Sequence, residues 1–167
     1  TVATPAFAAS VSYFLDQSNE NTFLPDGTNY LKVTISDGTG GNIDFSVETL
    51  PALSGIAGTN YGIQGFGFNS SLTLTSTNFS GMPSGWGVNL GMNLDGFGNF
   101  NFVESGTGST RVDPLTFSIT SITGDSPMDY VQLSTGTAGQ GNVYFGAHVA
   151  GFNDVDPGTG EVTSAYF

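Results

Sequence analysis

Residues Trp86–Phe102 read WGVNLGMNLDGFGNFNF, and their alternation decides the fold class. Val88, Leu90, Met92 and Leu94 alternate with Asn89, Gly91, Asn93 and Asp95. A period of two gives an extended segment one apolar face and one small or polar face. Asp95-Gly96 supplies the turn, because glycine enters positive φ without a Cβ clash and aspartate tolerates it. Phe100 and Phe102 resume the alternation on the way back. A polar loop from Glu104 to Thr110 follows, and Leu115, Phe117 and Ile119 mark a third strand. Together these predict a three-stranded antiparallel meander with one apolar face.

The same signal recurs along the chain. Val11–Leu15 is a short strand. Leu31, Val33 and Ile35 oppose Lys32, Thr34 and Ser36. Across the loop 37–41, Ile43, Phe45 and Val47 answer them, which predicts a hairpin. Residues 50–60 lose the alternation, and Pro51, Gly55 and Gly58 leave room for only a short helix. Phe66 and Phe68 share a face opposite Gly65 and Gly67, glycines of the kind that mark bulges or close backbone approach. Leu72 and Leu74 suggest a strand, residues 76–85 a loop, and Tyr130, Val131 and Leu133 a weak strand. Val143, Phe145, Ala147 and Val149 give a strong one, and Val162–Phe167 a last one. The sum is about ten short strands with a turn roughly every ten residues, the pattern of an all-β antiparallel sandwich, jelly-roll-like in outline. The predicted core is Leu31, Val33, Ile35, Ile43, Phe45, Val47, Val88, Leu90, Phe117, Ile119, Phe145 and Val149.

At 167 residues the chain fits one domain with a full core, assigned to 11–167 after a segment 1–10. Two basic residues against 14 acidic ones give a net charge of −12, which repels a phosphate backbone and excludes nucleic acid as a partner. Cations, Ca²⁺ above all, suit that charge. With no cysteine there is no disulfide framework, thiolate zinc site or cysteine nucleophile. No apolar run is long enough to insert into a bilayer.

Five stretches carry a family resemblance: YLKVTISD at Tyr30–Asp37, GIQGFGFN at Gly62–Asn69, DGFGNF at Asp95–Phe100, DPLTF at Asp113–Phe117 and HVAGF at His148–Phe152. They resemble the globular part of bacterial exported proteins that carry a PEP-CTERM sorting tail, which here would follow Ala165-Tyr166-Phe167. The resemblance implies secretion, association with the cell surface or extracellular matrix, and a β-sandwich. It names no activity.

The candidate chemical groups are few. His148 is the sole histidine, and without a Gly-x-Ser-x-Gly elbow it reads as a structural or solvent-facing residue of a strand. Asp95, Glu104, Asp113, Asp125 and Asp129 fall in or near turns, where aspartate mostly bonds backbone. A glycoside hydrolase would need two carboxylates facing across a cleft, and it ranks third. Calcium wants six to eight oxygens. Asn153, Asp154, Asp156 and Glu161 crowd such donors into one turn, and Asn93, Asp95 and Asn99 into another, neither with EF-hand spacing. Tyr61, Trp86, Tyr130 and Tyr144 are the aromatics for stacking on sugar rings, although core filling is their commoner use. Asn69 and Asn78 head glycosylation sequons that read as chance in a bacterial protein.

The leading expectation is therefore an exported, non-enzymatic structural or adhesive protein of a surface, matrix or filament. The alternative is a carbohydrate-binding module for a polysaccharide, with Ca²⁺ as its cation. At the N-terminus, Thr4-Pro5-Ala6-Phe7-Ala8 fits a signal-peptidase site cleaved after Ala8. If retained, residues 1–10 form an apolar arm with Val2 and Phe7. Such an arm reaches roughly 30 Å when extended, enough to pair with the sheet edge of a second copy.

Overall fold

The structure is a computed structural model that describes residues 8–153, 155–156 and 160–167. Residues 1–7, which are most of the expected leader (1–8) and arm (1–10), lie outside those described, as do Asp154 and residues 157–159 of the acidic turn. Ala9 and Ser10 already belong to the sandwich: the Ala9 N–H bonds the Asp37 carboxylate at 2.7 Å, and Ser10 pairs with Ser36.

Among the described residues, ten strands form two antiparallel sheets. They are β1 (Ser10–Leu15), β2 (Leu31–Asp37), β3 (Ile43–Thr49), β4 (Ala57–Phe68), β5 (Phe79–Ser80), β6 (Gly87–Leu94), β7 (Gly98–Ser105), β8 (Leu115–Ile119), β9 (Phe145–Phe152) and β10 (Ser164–Tyr166). The first sheet runs β1-β2-β3-β8-β5 and the second β10-β9-β4-β7-β6, an all-β sandwich. A short helix, α1 (Pro51–Ser54), starts on a proline whose missing N–H costs nothing at that position.

Alternation explains the interior. Leu31, Val33, Ile35, Ile43, Phe45 and Val47 are buried where β2 and β3 pair, from Leu31 opposite Thr49 to Asp37 opposite Ile43. Phe45 stacks on Phe117 of β8 with centroids 4.6 Å apart, and meets Phe66 and Phe68 of β4 across the core. Each buried phenyl ring contributes about 1.5–3 kcal/mol over an exposed one.

The predicted meander does not form, although its hairpin does. β6 and β7 pair from Gly87 opposite Ser105 to Leu94 opposite Gly98, while β8 joins the other sheet between β3 and β5. The crossing is steered locally. Val112 exchanges backbone bonds with Ile63 at 2.8 and 3.1 Å, and the Asp113 carboxylate then accepts the Thr49 N–H at 3.0 Å. That contact sets Leu115 down opposite Val47.

Val88 and Leu90 are likewise not core residues: Val88 is half-buried, and Leu90 and Met92 are 59% and 46% exposed. β6 is the margin of its sheet. The Phe79–Phe102 contact at 6.0 Å places β5 over β7, and β5 is two residues long, so among the described residues Leu90 and Met92 of β6 are left exposed. Leu72 and Leu74 form no strand, Phe79–Ser80 does within the expected loop, and Tyr130 ends a 3₁₀ turn at Pro127–Tyr130.

A second, smaller core lies on the outer face of the second sheet. Leu94, Phe97, Phe100 and Val103 cluster there against Val143 and Tyr166. Gly67 and Gly146 make the contact, since a Cβ on either would stand 2.8 or 2.9 Å from Leu94 Cδ1. The two halves of the chain are also laced together at one side. The Asn19 N–H bonds the Tyr166 carbonyl at 3.0 Å, and the Tyr166 N–H returns to Asn19 Oδ1 at 2.8 Å.

Candidate functional site

β4 is irregular where it runs beside β9. Its register shifts between Ala57 and Gly62 and again between Ile63 and Gly65. Asn60 stands at φ 58, and Gly151 of β9 at φ 83 lets the Asn60 carbonyl approach where a Cβ would sit at 2.5 Å. Bulges of this kind bend a strand and re-aim its side chains. Here they open a polar cleft of about 610 Å³ on the outer face of the second sheet.

The cleft holds the only arginine and the only histidine. Arg111, placed by the Val112–Ile63 bridge, donates from Nε to Gln64 Oε1 at 2.8 Å and from a terminal nitrogen to the Asn60 carbonyl at 2.9 Å. In a chain of net charge −12, no carboxylate among the described residues lies within ion-pair distance of this guanidinium. The Lys32–Glu48 pair, at 3.7 Å and largely exposed, takes up the other cation. His148 stacks flat on Tyr166, centroids 4.4 Å apart and planes 13° apart. Burial first, and the Arg111 charge second, hold the His148 pKa below its ordinary 6.5, so the ring is neutral at neutral pH. Thr59, Asn153, Glu161, Thr163 and Ser164 complete the polar lining.

The residues singled out from sequence are mostly elsewhere. Tyr130 is fully buried, donates its hydroxyl to Asp125 and cannot stack on a sugar. Tyr61 is half-buried against Phe152, and burial pushes its phenol up to about 12. Trp86 anchors its indole N–H on the Thr110 carbonyl at 2.7 Å. Tyr144 is 43% exposed, but it sits by Tyr13 of β1, away from the cleft. These four aromatics do not converge on one surface.

Of the calcium candidates, Asn93 donates to Asn99 at 3.3 Å and Asp95 accepts from Asn19 at 3.1 Å. The Asn153 amide bonds the Ala57 carbonyl at 3.1 Å, Asp156 is buried and Glu161 is exposed. Among the described residues no three histidine, cysteine or acidic side chains gather in a metal-holding group. The sequon residues are committed to the fold: Asn69 bonds the Leu133 carbonyl and the Asn101 N–H, and Asn78 the Thr120 carbonyl.

Hydrogen bonds to the fold occupy Asp113 and Asp129. Asp113 binds both the N–H and the hydroxyl of Thr49. Asp129 caps its turn through the Ser126 hydroxyl and N–H, bonds that lower its pKa. Glu104 departs from the expectation that it lies in a turn. It is in the middle of the sandwich, in β7, fully buried, with neither carboxyl oxygen hydrogen-bonded.

Compared with known proteins, the chain matches no family model, no curated protein and no solved structure. Of the cleft, sequence reading had noted His148, Asn153 and Glu161. It missed Arg111, Gln64 and Tyr166, whose one signal was the rarity of arginine in so acidic a chain.

Proposed function

We propose that the chain is an exported, non-enzymatic structural module that associates head to tail with further copies through its β1 and β6 margins. The observation that carries this reading is where the apolar surface lies. The large exposed side chains are Phe14, Phe23, Leu90, Met92, Met128, Leu133 and Tyr144. Phe14, Leu133 and Tyr144 border one groove beside β1, and Tyr13 touches Met128 there. Leu90 and Met92 stand on β6. β1 lies over β9 through Tyr13 and Phe145, and β5 lies over β7, so the two patches are on opposite sides of the sandwich.

The edges support the same reading. Proteins guard sheet edges with short strands, charges or proline. β5 and β10 are short, with two and three residues. β1 and β6 are long, and neither SVSYFL nor GVNLGMNL contains a charge or a proline. The Asp37 N–H to Ala9 carbonyl bond puts Val11, Tyr13 and Leu15 on the ladder side, so Ser10, Ser12 and Phe14 turn their backbone groups outward. In a strongly acidic chain these neutral lines are where two copies meet with least repulsion. An edge of one sheet meeting a different edge of the next copy is a head-to-tail contact, which builds an open filament wherever its rotation does not close a ring. Export rests on the resemblance to PEP-CTERM proteins.

Light scattering and negative-stain microscopy test the reading with two variants, Ser12→Pro on β1 and Leu90→Lys on β6. Each alone should stay monomeric while the wild type assembles. An equal mixture should give dimers, joined by the one intact β1 and the one intact β6. A wild type that stays monomeric at its highest soluble concentration would sink the proposal. So would Leu90→Lys assembling as well as wild type, which would mean that β1 pairs with β1.

A further inference from the structure

We propose that the cleft around Arg111 and His148 binds the carboxylated pyranose unit of a uronic-acid saccharide. Arg111 is the first reason. Its guanidinium is held in place by two neutral acceptors, Gln64 Oε1 and the Asn60 carbonyl, and by no carboxylate among the described residues. Among the described residues the side chain is therefore positioned without being neutralised, and it keeps N–H donors for a ligand. A planar fork of donors pairs best with a carboxylate, through two parallel charge-assisted bonds.

The rest of the lining specifies what carries that carboxylate. The walls are polar and short: hydroxyls of Thr59, Thr163 and Ser164, the Asn153 amide and the exposed Glu161 carboxylate. A mixed set of donors and acceptors matches the hydroxyls of a sugar, which both give and accept. An apolar acid would leave those groups unpaired, a costly loss once water is displaced. His148 presents a ring fixed from behind by Tyr166, a rigid flat wall against which a pyranose can lie. Glu161 disfavours a second negative charge at its end, so one carboxylate and several hydroxyls fit better than a run of acidic groups. The net charge of −12 opposes polyanions at long range, but salt at about 0.1 M confines that field to roughly 10 Å.

Neither β1 nor β6 lines the cleft, so the test stands whether or not the chain assembles. The full chain is titrated with a galacturonic-acid tetrasaccharide, a glucose tetrasaccharide and a glutamate tetrapeptide, followed by NMR of the backbone amides. The uronate should give saturable shifts centred on Gln64, Arg111 and His148, and the other two should not. Arg111→Gln should weaken that binding roughly 10- to 100-fold, the worth of a charge-assisted pair. Arg111→Lys should weaken it too, since a point charge cannot form the fork. Should Arg111→Gln fail to fold, Thr163→Ala carries the same test and should weaken uronate binding several-fold. No saturable uronate shift, equal binding of the glucose probe, equal or tighter binding of the peptide, or unchanged affinity in the folded variants would each overturn the proposal.

Discussion

The carboxyl of Glu104 lies opposite Phe66 across the β4–β7 ladder, fully buried, with neither oxygen hydrogen-bonded. Burial without a partner disfavours the charged form, so its pKa is raised well above the ordinary 4.5. Its place inside an aromatic core thus favours the neutral acid over the carboxylate.

Stability should therefore fall with rising pH in a window that Glu104 defines. The unfolded chain loses this proton near 4.5, and the folded chain keeps it until the raised value. Below 4.5 the stabilising balance is fully present. Between the two values it declines by up to about 1.4 kcal/mol per pH unit, and above the folded pKa it is lost. Glu104→Gln cannot ionise. Denaturant unfolding should show its advantage over wild type growing from pH 4.5 upward, then levelling off. Asp129 runs the other way, because its lowered pKa gives stability above 3.8 that disappears on acidification. Superimposable pH profiles for wild type and Glu104→Gln would refute the assignment.

Truncating the aromatic interior should be severe. Phe45 and Phe117 stack at 4.6 Å and both also meet β4, so Phe45→Ala or Phe117→Ala should each cost about 3–5 kcal/mol in denaturant unfolding. Because the rings touch, the double variant should lose less than the sum.

Gly67 and Gly146 should tolerate no side chain without displacing the β6–β7 hairpin. A Cβ at Gly146 would stand 2.9 Å from Leu94 Cδ1 and 3.1 Å from the Phe100 ring. Gly146→Ala should cost about 1–3 kcal/mol. Amide exchange should accelerate in residues 94–103 more than in β2 and β3.

Salt should raise the melting temperature, because a chain of net charge −12 repels itself when folded. Calcium and magnesium chlorides at equal ionic strength separate screening from binding. The expected result is the same rise with both. A saturable extra gain with Ca²⁺ alone would instead assign a specific site to the acidic turns at Asn93–Asn99 or Asn153–Glu161.

The pairing of β2 with β3, the inward face of β9 and the facing of Phe66 and Phe68 were all legible, because in each strand large apolar side chains on the inward face alternate with small or polar ones. β6 alternates just as cleanly, yet Leu90 and Met92 are exposed. Periodicity reports that one face is apolar and cannot say whether another strand covers it. The placement of β8 depended on Asp113 reaching Thr49, a contact 64 residues apart that leaves no periodic trace. The cleft was illegible for a similar reason. Its residues come from β4, β9, β10, the connection between β9 and β10 and the loop before β8, brought together by bulges that local patterning does not encode.

The two margins end different sheets, β1 the first and β6 the second. No continuous ladder of hydrogen bonds therefore links them. In the filament proposed above, a pull entering at β6 leaves the subunit at β1 only by crossing the interior, as shear between the aromatic faces around Phe45, Phe66, Phe68 and Phe117. Backbone hydrogen bonds weaken steeply once bent or stretched, whereas an interdigitated apolar face spreads a displacement over many small contacts. The Asn19–Tyr166 lacing stands beside that path as a stiff tie. Such a subunit is a compliant link, and removing the side-chain half of the tie with Asn19→Ala should soften a fibre before it weakens the folded monomer.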